Sequence, residues 1–503
     1  MTGDRPDKVV RGGLLLDVVK LASDPADILI SGDSIVEVSH PGAAAPDDAQ
    51  IIDATDQLIM PGLINAHTHG HGSLGKGLGD KWSLELLLNA LPWAGGGLTM
   101  EDKKHAAQLN AAEMILKGCT AAYDMFFEFP KPTVEGMTLA IEAYREVGVR
   151  VRLAPMMADT TFYRAIPGLL DSLPEPHRSR AAAMAAATHE EHLAACAELL
   201  DGWGHDQEWA RPALGPTIPL HCSDEFIRGC RDLARDSGAG IQMHLAESKV
   251  QAIAGLERYG KSLTAHLADL RLLGPNFVAA HGVWLDDEDI KILADHGACV
   301  AHNPGSNMRL GSGVARAVAM RDANLTFGIG TDGSASSDNQ NMFEAMRAGA
   351  LASRLHSPDP DNWLGTWDVI TAATLGGAKV MGMEELIGQI APGFKADMVF
   401  LNLGNVNFIP LNDAANQIVN CEDSSAVDSV MVDGRMVLEN RRFVDFDFAA
   451  LRRAVNAAAG RLGQASAETR LSMEAMAPFV SAHCVGLACR SHHVHAAIHH
   501  YFQ

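Results

Sequence analysis

The sequence predicts an α/β protein: a (β/α)8 barrel of the TIM type, with a smaller β-domain assembled from both ends of the chain. From about residue 61, short apolar runs alternate with longer helical patterns over some three hundred residues, which is the rhythm and the length of such a barrel. The first sixty residues and the stretch after about residue 385 are instead patterned as short strands. With 503 residues, the chain is also longer than one ordinary core requires.

The local patterns define where each part begins and ends. Ala26–Val38 contains two β-type runs around a Gly-Asp turn. Within the barrel, Gly240–His244 is typical of a strand and Lys104–Lys117 of a helix. The predicted segments are the first part of the β-domain, the barrel, the second part of the β-domain and a helical extension: residues 1–60, 61–384, 385–446 and 447–503.

The composition favours a cytoplasmic protein that acts on a small molecule. The formal net charge of −22 disfavours nucleic acid and anionic membranes, because binding phosphate requires a basic surface. The start of the chain has no apolar stretch of the signal-peptide type, and no run reaches the roughly 18 apolar residues that span a bilayer. None of the eight cysteines forms a Cys-x-x-Cys pair, which argues against a zinc ribbon and for free thiols.

The strongest chemical signal is a pair of histidines at a predicted strand end. His67 and His69 follow an apolar run and a Pro-Gly pair. Side chains two residues apart on a strand point to the same side, so both imidazoles can converge on one ion. An isolated His-x-His is weak evidence, but barrel enzymes place their active sites at the ends of their strands.

Further signals end other predicted strands of the same region. His244 can supply a third imidazole, and Glu247, three residues later, can shuttle a proton. His281 and His302 each end a β-type run, and Asp332 ends an apolar strand between glycines. One such residue is usually structural. So many of them at strand ends of one barrel are better explained by a shared site.

This set of side chains suits one divalent metal ion. Three neutral imidazoles and one carboxylate are typical ligands of zinc, with iron or manganese as alternatives. Such an ion lowers the pKa of a bound water to about 7 and polarises the bond under attack. The sequence therefore predicts a metal-dependent hydrolase.

The stretches around these residues resemble the amidohydrolase superfamily, in particular its branch of chlorotriazine hydrolases and of aminohydrolases of nucleosides, guanine and related rings. The matching stretches are MPGLINAHTH (Met60–His69), HLAE (His244–Glu247), AAHGVWL (Ala279–Leu285), AHNPGSNMRLGSG (Ala301–Gly313), GTDGSASSDNQNMFEAMR (Gly330–Arg347) and GQIAPGFKADMVFLNL (Gly388–Leu403). The resemblance spans roughly Ala26 to Val444. It implies a distorted barrel with a composite β-sandwich, a mononuclear metal site and a dimer or larger homo-oligomer.

The resemblance also implies a role for each strand-end residue. The metal-ligand positions are occupied by His67, His69, His244 and Asp332. Glu247 occupies the position of the proton shuttle, and His281 that of the histidine that orients the hydroxide or the leaving group. Asp332 would also take a proton from the attacking water. His302 matches a histidine that faces the substrate.

The chain departs from this branch where the substrate is recognised. Adenosine-type deaminases of the branch have a histidine where Thr217 stands, and the nearby histidine here is His221. They also carry a tryptophan near the position of Leu84–Leu86. These departures argue against an adenosine-type substrate. We expect Thr217 and His221 to contribute to the substrate site, Trp93 to stack on a flat ring, and the glycine-rich residues 70–77 to shape the substrate loop.

The resemblance implies an aminohydrolase, a deaminase of an amino-substituted nitrogen heterocycle that uses hydroxide generated at the metal. The same site would also suit hydrolysis of a cyclic or linear amide, or removal of chloride, because the loops select the substrate. A non-catalytic scaffold of the same fold is the alternative from another class, but it would have no need of Glu247. The histidines near the C-terminus are expected to belong to a docking or dimer segment: His483, His492, His493, His495, His499 and His500.

Overall fold

The structure, a computed structural model, describes residues 6–490. The strands are β1 (Lys8–Asp17), β2 (Ala22–Ser31), β3 (Ser34–Ser39), β4 (Gln50–Asp53), β5 (Gln57–Pro61), β6 (Leu63–Thr68), β7 (Cys119–Phe127), β8 (Arg150–Met157), β9 (Ala210–Pro216), β10 (Gly240–Leu245), β11 (Phe277–His281), β12 (Cys299–His302), β13 (Phe327–Ile329), β14 (Met398–Asn402), β15 (Val427–Val432), β16 (Arg435–Glu439) and β17 (Arg442–Phe443).

The helices lie between and after the barrel strands. They are α1 (Leu84–Ala94), α2 (Met100–Leu116), α3 (Val134–Val147), α4 (Phe162–Ala165), α5 (Leu169–Ser172), α6 (His177–Ala183), α7 (His189–Asp201), α8 (Asp224–Ser237), α9 (Lys249–Tyr259), α10 (Leu263–Asp269), α11 (Asp287–Asp295), α12 (Pro304–Arg309), α13 (Ala317–Asp322), α14 (Met342–Ser353), α15 (Thr366–Thr371), α16 (Gly377–Val380), α17 (Ala414–Asn420), α18 (Phe448–Ala465) and α19 (Ala467–Ala488). Short 3₁₀ turns include Gly70–Gly75 and Pro219–His221, and a π-helical turn, Ala372–Gly376, joins α15 to α16.

Strands β6 to β13 form an eight-stranded parallel sheet in sequence order, which confirms the predicted barrel. The short runs that form it are buried on both faces, as all five residues of β11 are, and this is why they are continuously apolar rather than alternating. The two ends of the sheet meet where the Asp332 amide donates to the His67 carbonyl at 2.9 Å. The carboxyl ends of all eight strands therefore lie on one face of the barrel.

Side-chain caps start several of the barrel helices. Thr99 and Asp102 form a capping box at α2, and Asp286 and Asp289 form another at α11. Such caps satisfy the free N–H groups of the first turn. They fix where each connection turns into a helix, and so they set the lengths of the loops on the barrel mouth.

A second sheet combines strands from both ends of the chain, as predicted. Its order is β17-β16-β15-β14-β5-β1-β2-β3, with β4 beside β1. The junction is the antiparallel pair of β5 and β14, in which Pro61 lies opposite Met398. Because β5 leads directly into β6, this sheet anchors the first barrel strand and the histidines at its end.

A buried ion cluster joins the barrel to this second sheet. Arg150 of β8 is 1% exposed, and its guanidinium binds Asp397 at 3.2 Å and Asp433 at 2.5 Å. Asp397 directly precedes β14, and Asp433 lies in the turn between β15 and β16. The cluster therefore fixes the position of the second sheet against the barrel.

Replacing Arg150 by methionine should lower the free energy of unfolding by about 3 kcal/mol or more, because it leaves the buried Asp397 carboxylate without its counter-charge. Urea unfolding would measure this change. The double variant Arg150→Met/Asp397→Asn serves as the control and should recover part of the loss, since it also removes the unpaired charge. A single variant as stable as the wild type would contradict this role.

The predicted helical extension is present as α18 and α19. By length and composition alone α19 could span a membrane, although the apolar runs in the sequence indicated no such segment. In the structure α19 packs along α1. The side-chain amide of Asn89 donates a hydrogen bond to the Met473 carbonyl at 3.0 Å, and its oxygen accepts one from the Tyr163 hydroxyl at 2.9 Å. His483 lies in α19 and donates to the Pro167 carbonyl. The other five histidines predicted to belong to a docking segment lie outside the described residues.

Candidate metal and catalytic site

The strand-end residues predicted from the sequence meet on the carboxyl face of the barrel. The nitrogen ligand atoms of His67, His69 and His244 lie within 4.8 Å of one another, and the same separation includes the ligand atoms of His67, His281 and Asp332. His67 lies in β6 and His69 directly follows that strand, the others lie in β10 and β11, and Asp332 follows β13. Because parallel strands end on the same face, residues more than two hundred positions apart become neighbours.

A glutamine fixes the tautomer of His67. Gln242 donates its amide N–H to the Ala66 carbonyl at 3.0 Å, so its amide oxygen is the atom that faces His67. His67 Nδ1 lies 2.8 Å from that oxygen and must therefore carry the proton. Its Nε2 is left with a lone pair, is fully buried and has no hydrogen-bond partner among the described residues.

Backbone carbonyls fix the other two imidazoles in the same way. His69 Nδ1 donates to the Met125 carbonyl at 2.8 Å, and His244 Nδ1 donates to the Thr217 carbonyl at 2.7 Å. Both Nε2 atoms therefore carry lone pairs, and these atoms are only 3.1 Å apart. Two lone pairs at this distance repel each other unless a cation lies near them. The described residues thus fit a bound metal ion.

Asp332 completes the group of ligands. Its Oδ1 is 3.5 Å from Nε2 of His67 and 3.3 Å from Nε2 of His69. Its other oxygen accepts a hydrogen bond from the Ser306 hydroxyl at 2.6 Å, and this bond holds the carboxylate in place. Asp332 has a left-handed backbone (φ 65°), and a side chain at the preceding Gly330 would meet the His67 backbone at 2.9 Å. Gly330 therefore lets the backbone before Asp332 approach the backbone of β6 closely.

Burial keeps the imidazoles in the neutral state that metal binding requires. It lowers the pKa of His69 and of His281 to about 4. It also lowers the pKa of His244 well below its usual value, and the neighbouring histidines add to this effect. At neutral pH these rings therefore offer lone pairs without first losing a proton.

Glu247 is a buried carboxyl group beside this cluster. Burial raises its pKa well above the usual value, and repulsion from Asp332 and Glu85 raises it further. Its Oε2 lies 3.6 Å from Nε2 of His281, whose Nδ1 is bound to Asn307 at 2.9 Å. A carboxyl group that retains its proton near neutrality can donate it to a reacting atom.

The residues predicted to contact substrate lie in different surroundings. Thr217 touches the metal site through its carbonyl, and His302 ends β12 fully buried. His221 is buried in a 3₁₀ turn with its ring 6.3 Å from that of Phe162. Trp93 belongs to α1, and the guanidinium of Arg470 in α19 lies over its indole ring, 4.9 Å from the ring centroid. These four substrate contacts remain predictions.

The residues that orient the candidate ligands were not predicted from the sequence. Gln242 lies two positions before His244 on β10, and this strand periodicity alone places both on the inner face of the barrel. Ser306 and Asn307 lie within the stretch Ala301–Gly313, which resembles the amidohydrolase superfamily. Glu85 gives no sequence signal, because its contacts come from a segment that is distant along the chain.

Replacing Gln242 by leucine should weaken metal binding by roughly 10- to 100-fold, since partners that orient a ligand imidazole typically contribute that much. Competition with a chromogenic chelator would measure the affinity. Gln207→Leu, on the exposed loop before β9, is a matched control that should leave the affinity unchanged. Equal affinities of wild type and Gln242→Leu would show that the His67 tautomer does not depend on this amide.

Curated proteins of similar sequence are deaminases. A 5-methylthioadenosine/S-adenosylhomocysteine deaminase of Thermococcus kodakarensis is 35% identical over 84% of this chain and 91% of its own length. A 5′-deoxyadenosine deaminase of Methanosarcina mazei is 32% identical over 88% of this chain and 95% of its own length. Among solved structures, an adenosine deaminase from Xanthomonas campestris with bound zinc superposes with a TM-score of 0.80 at 26% identity, covering 92% of this chain and 99% of that one.

The model of the amidohydrolase family matches residues 58–437, which include every barrel strand and every predicted ligand. Together with the deaminase relatives, the match identifies a hydrolytic enzyme of the aminohydrolase type that acts on carbon–nitrogen bonds other than peptide bonds and takes a small-molecule substrate. Its site fits a divalent metal ion. This chain belongs to the amidohydrolase family.

Proposed function

We propose that this enzyme is a zinc-dependent deaminase of adenine nucleosides modified at the 5′ position. The observation that carries the proposal is the convergence of three Nε2 lone pairs beside Asp332, with a buried carboxyl group, Glu247, next to them. The curated relatives support the substrate class, since their names specify adenine nucleosides that differ at the 5′ carbon.

Zinc suits these ligands better than magnesium or calcium, because imidazole nitrogen outnumbers carboxylate oxygen. The zinc bound to the similar Xanthomonas enzyme supports the same choice. When bound, the ion supplies hydroxide at neutral pH and stabilises negative charge. Iron or manganese would fit the same ligands, and metal analysis of the purified protein separates the three.

The chain's own residues would move protons during deamination. Asp332 accepts a proton from the attacking water, and Glu247 delivers one to the ring nitrogen beside the carbon under attack. His281, held by Asn307, orients the attacking oxygen or the leaving amine. Asp332 then passes its proton to the amino group, and Glu247 takes up the proton of the added hydroxyl. The C–N bond breaks, ammonia leaves and the ring keeps a carbonyl oxygen, so that one water is consumed for each ammonia released.

The adenine class differs from the expectation drawn from Thr217, and the names of the curated relatives are the reason to favour it. The contact of Thr217 with the site runs through its backbone carbonyl, which orients His244. Any residue at this position would provide that contact. The absence of a histidine side chain there therefore does not weaken the site for ring hydrolysis.

We also propose a cytoplasmic homo-oligomer. The cysteines of the described residues are unpaired, and most are buried, as in proteins of a reducing compartment. Size-exclusion chromatography with light scattering would establish the number of chains in the assembly.

The deciding test is ammonia release by zinc-loaded protein from 5′-deoxyadenosine, 5′-methylthioadenosine, guanine, an amino-triazine and a chloro-triazine, with mass analysis of the products. We expect ammonia and the corresponding hydroxy-purine product from the adenine nucleosides. Release of chloride from the triazine, or turnover only of a cyclic amide added to the panel, would favour the other hydrolases that this site suits and contradict the proposal.

A further inference from the structure

A small cavity lies between α1, the loop before it and the C-terminal helix α19. Its volume is about 130 Å³, room for about four water-sized groups. The apolar lining consists mainly of Leu78, Trp82, Leu86, Trp93, Met473 and Ala477. The two indole rings meet edge to face, with centroids 6.1 Å apart. The family match ends at residue 437, so the wall contributed by α19 lies outside the matched range.

Hydrogen bonds tie the walls of this cavity to the loops of the catalytic face. Ser248, which directly follows the proposed proton shuttle, donates to Glu85 of α1 at 2.7 Å. Arg309, at the end of α12, donates to the Asp80 carbonyl at 2.6 Å and to Asp338 at 2.8 Å. These contacts come from the loops after β10, β12 and β13. The cavity therefore adjoins the mouth of the barrel, at the side where α1 covers it.

The charged side chains among the lining residues, Asp80 and Glu474, are both acidic. Arg470 lies over the Trp93 ring and binds Glu474 at 2.7 Å. The Asn89 side chain is bound to Tyr163 and to the Met473 carbonyl. Within the part of the chain that the structure describes, the lining thus offers apolar and aromatic surface and no lysine or arginine for a carboxylate. Its chemistry favours a short apolar or thioether group, which contacts aromatic rings well.

We infer that this cavity is the subsite for the 5′ substituent of the nucleoside, and that it accepts a methylthio group but not a full amino-acid tail. The inference rests on the proposed function, which places a modified 5′ carbon on the substrate. It adds a role for α19 as the wall that selects this substituent. Trp93 would then contact the 5′ substituent and not stack on the flat ring of the substrate, as expected from the sequence.

Filling the cavity tests the inference. In Ala477→Leu, kcat/KM for 5′-methylthioadenosine should fall by roughly tenfold or more, whereas that for 5′-deoxyadenosine should stay within about twofold. The matched control is Ala475→Leu, which adds the same side chain to an exposed position of α19 and should change neither value. Equal losses for both nucleosides, or no loss for either, would overturn the inference.

Enlarging the cavity should have the opposite effect. Met473→Ala is expected to raise kcat/KM for 5′-ethylthioadenosine relative to 5′-methylthioadenosine, and this ratio within one variant is insensitive to partial unfolding. An unchanged ratio would argue that the substituent lies elsewhere.

The subsite and the proposed function fail in different ways. If the wild type deaminates no adenine nucleoside, the proposed function is wrong. Calorimetric titration of the wild type and Ala477→Leu with 5′-methylthioadenosine then decides the subsite. Binding that is lost in Ala477→Leu supports the subsite, and identical titrations overturn it.

Discussion

Replacing Glu247 by glutamine should lower kcat for ammonia release by about a thousandfold, the middle of the range that general acid–base groups contribute. Glutamine has nearly the same shape but holds no transferable proton, so the ring nitrogen under attack is not protonated. Metal content and nucleoside binding should remain close to wild type, because the carboxyl group is not one of the proposed ligands.

The control for this variant is Glu288→Gln, the same change at an exposed position in the first turn of α11. It should leave kcat unchanged. A Glu247→Gln enzyme that retains more than about a tenth of the wild-type rate would rule out this residue as the proton shuttle. Loss of metal from the variant would show instead that its carboxylate serves as a ligand.

The pH dependence of the rate follows from the same carboxyl group. Burial and the charges of Asp332 and Glu85 raise the pKa of Glu247 well above its usual value, so the protonated form persists to a higher pH than in an exposed glutamate. A rate that requires this acid falls as the pH rises through that raised pKa. The residual activity of Glu247→Gln should lack this alkaline decline, which a pH–rate profile of both proteins would reveal.

Removal of the metal should abolish activity and lower the melting temperature. Dialysis against a chelator leaves the Nε2 atoms of His69 and His244 facing each other at 3.1 Å, and stabilisation by a bound ion, RT ln(1 + [L]/Kd), is lost with it. One equivalent of zinc per chain should restore both activity and stability. Differential scanning fluorimetry and metal analysis by mass spectrometry would measure these changes.

His67→Asn tests whether the proposed ligands hold the ion. It removes a completely buried imidazole whose Nε2 has no other partner among the described residues, and we expect less than about a tenth of the wild-type zinc content after dialysis. The control is His296→Asn, at the exposed end of α11, which should bind zinc as the wild type does. Full zinc occupancy in His67→Asn would place the metal elsewhere.

Most of the architecture could be predicted from local pattern. Buried parallel strands must be continuously apolar and their helices amphipathic, so the alternation from β6 to β13 is visible along the chain. Polar residues that interrupt apolar runs at their carboxyl ends indicate a site on that face. His67, His69, His244, His281 and Asp332 were predicted in this way, and the structure brings them together.

The pKa of Glu247 and the residues that orient the imidazoles could not be predicted from the sequence. That Glu247 is acidic is evident from the chain, but its raised pKa comes from burial and from Glu85, which is 162 positions away in the sequence. The tautomers of His67 and His69 depend on Gln242 and on the Met125 carbonyl, and no spacing rule connects these atoms. Such contacts join distant segments, so only the packed barrel determines them.

The sequence by itself determined the barrel, the composite second sheet and the kinds of atoms that a metal ion would meet. The tertiary structure decided which nitrogen of each imidazole is free, which carboxyl group has a raised pKa, and how α19 closes a cavity beside α1. The physical reason is the separation along the chain of the atoms that interact. Strand and helix patterns depend on neighbours along the chain, whereas pKa values, tautomers and cavity shape depend on atoms that only folding brings within a few ångströms.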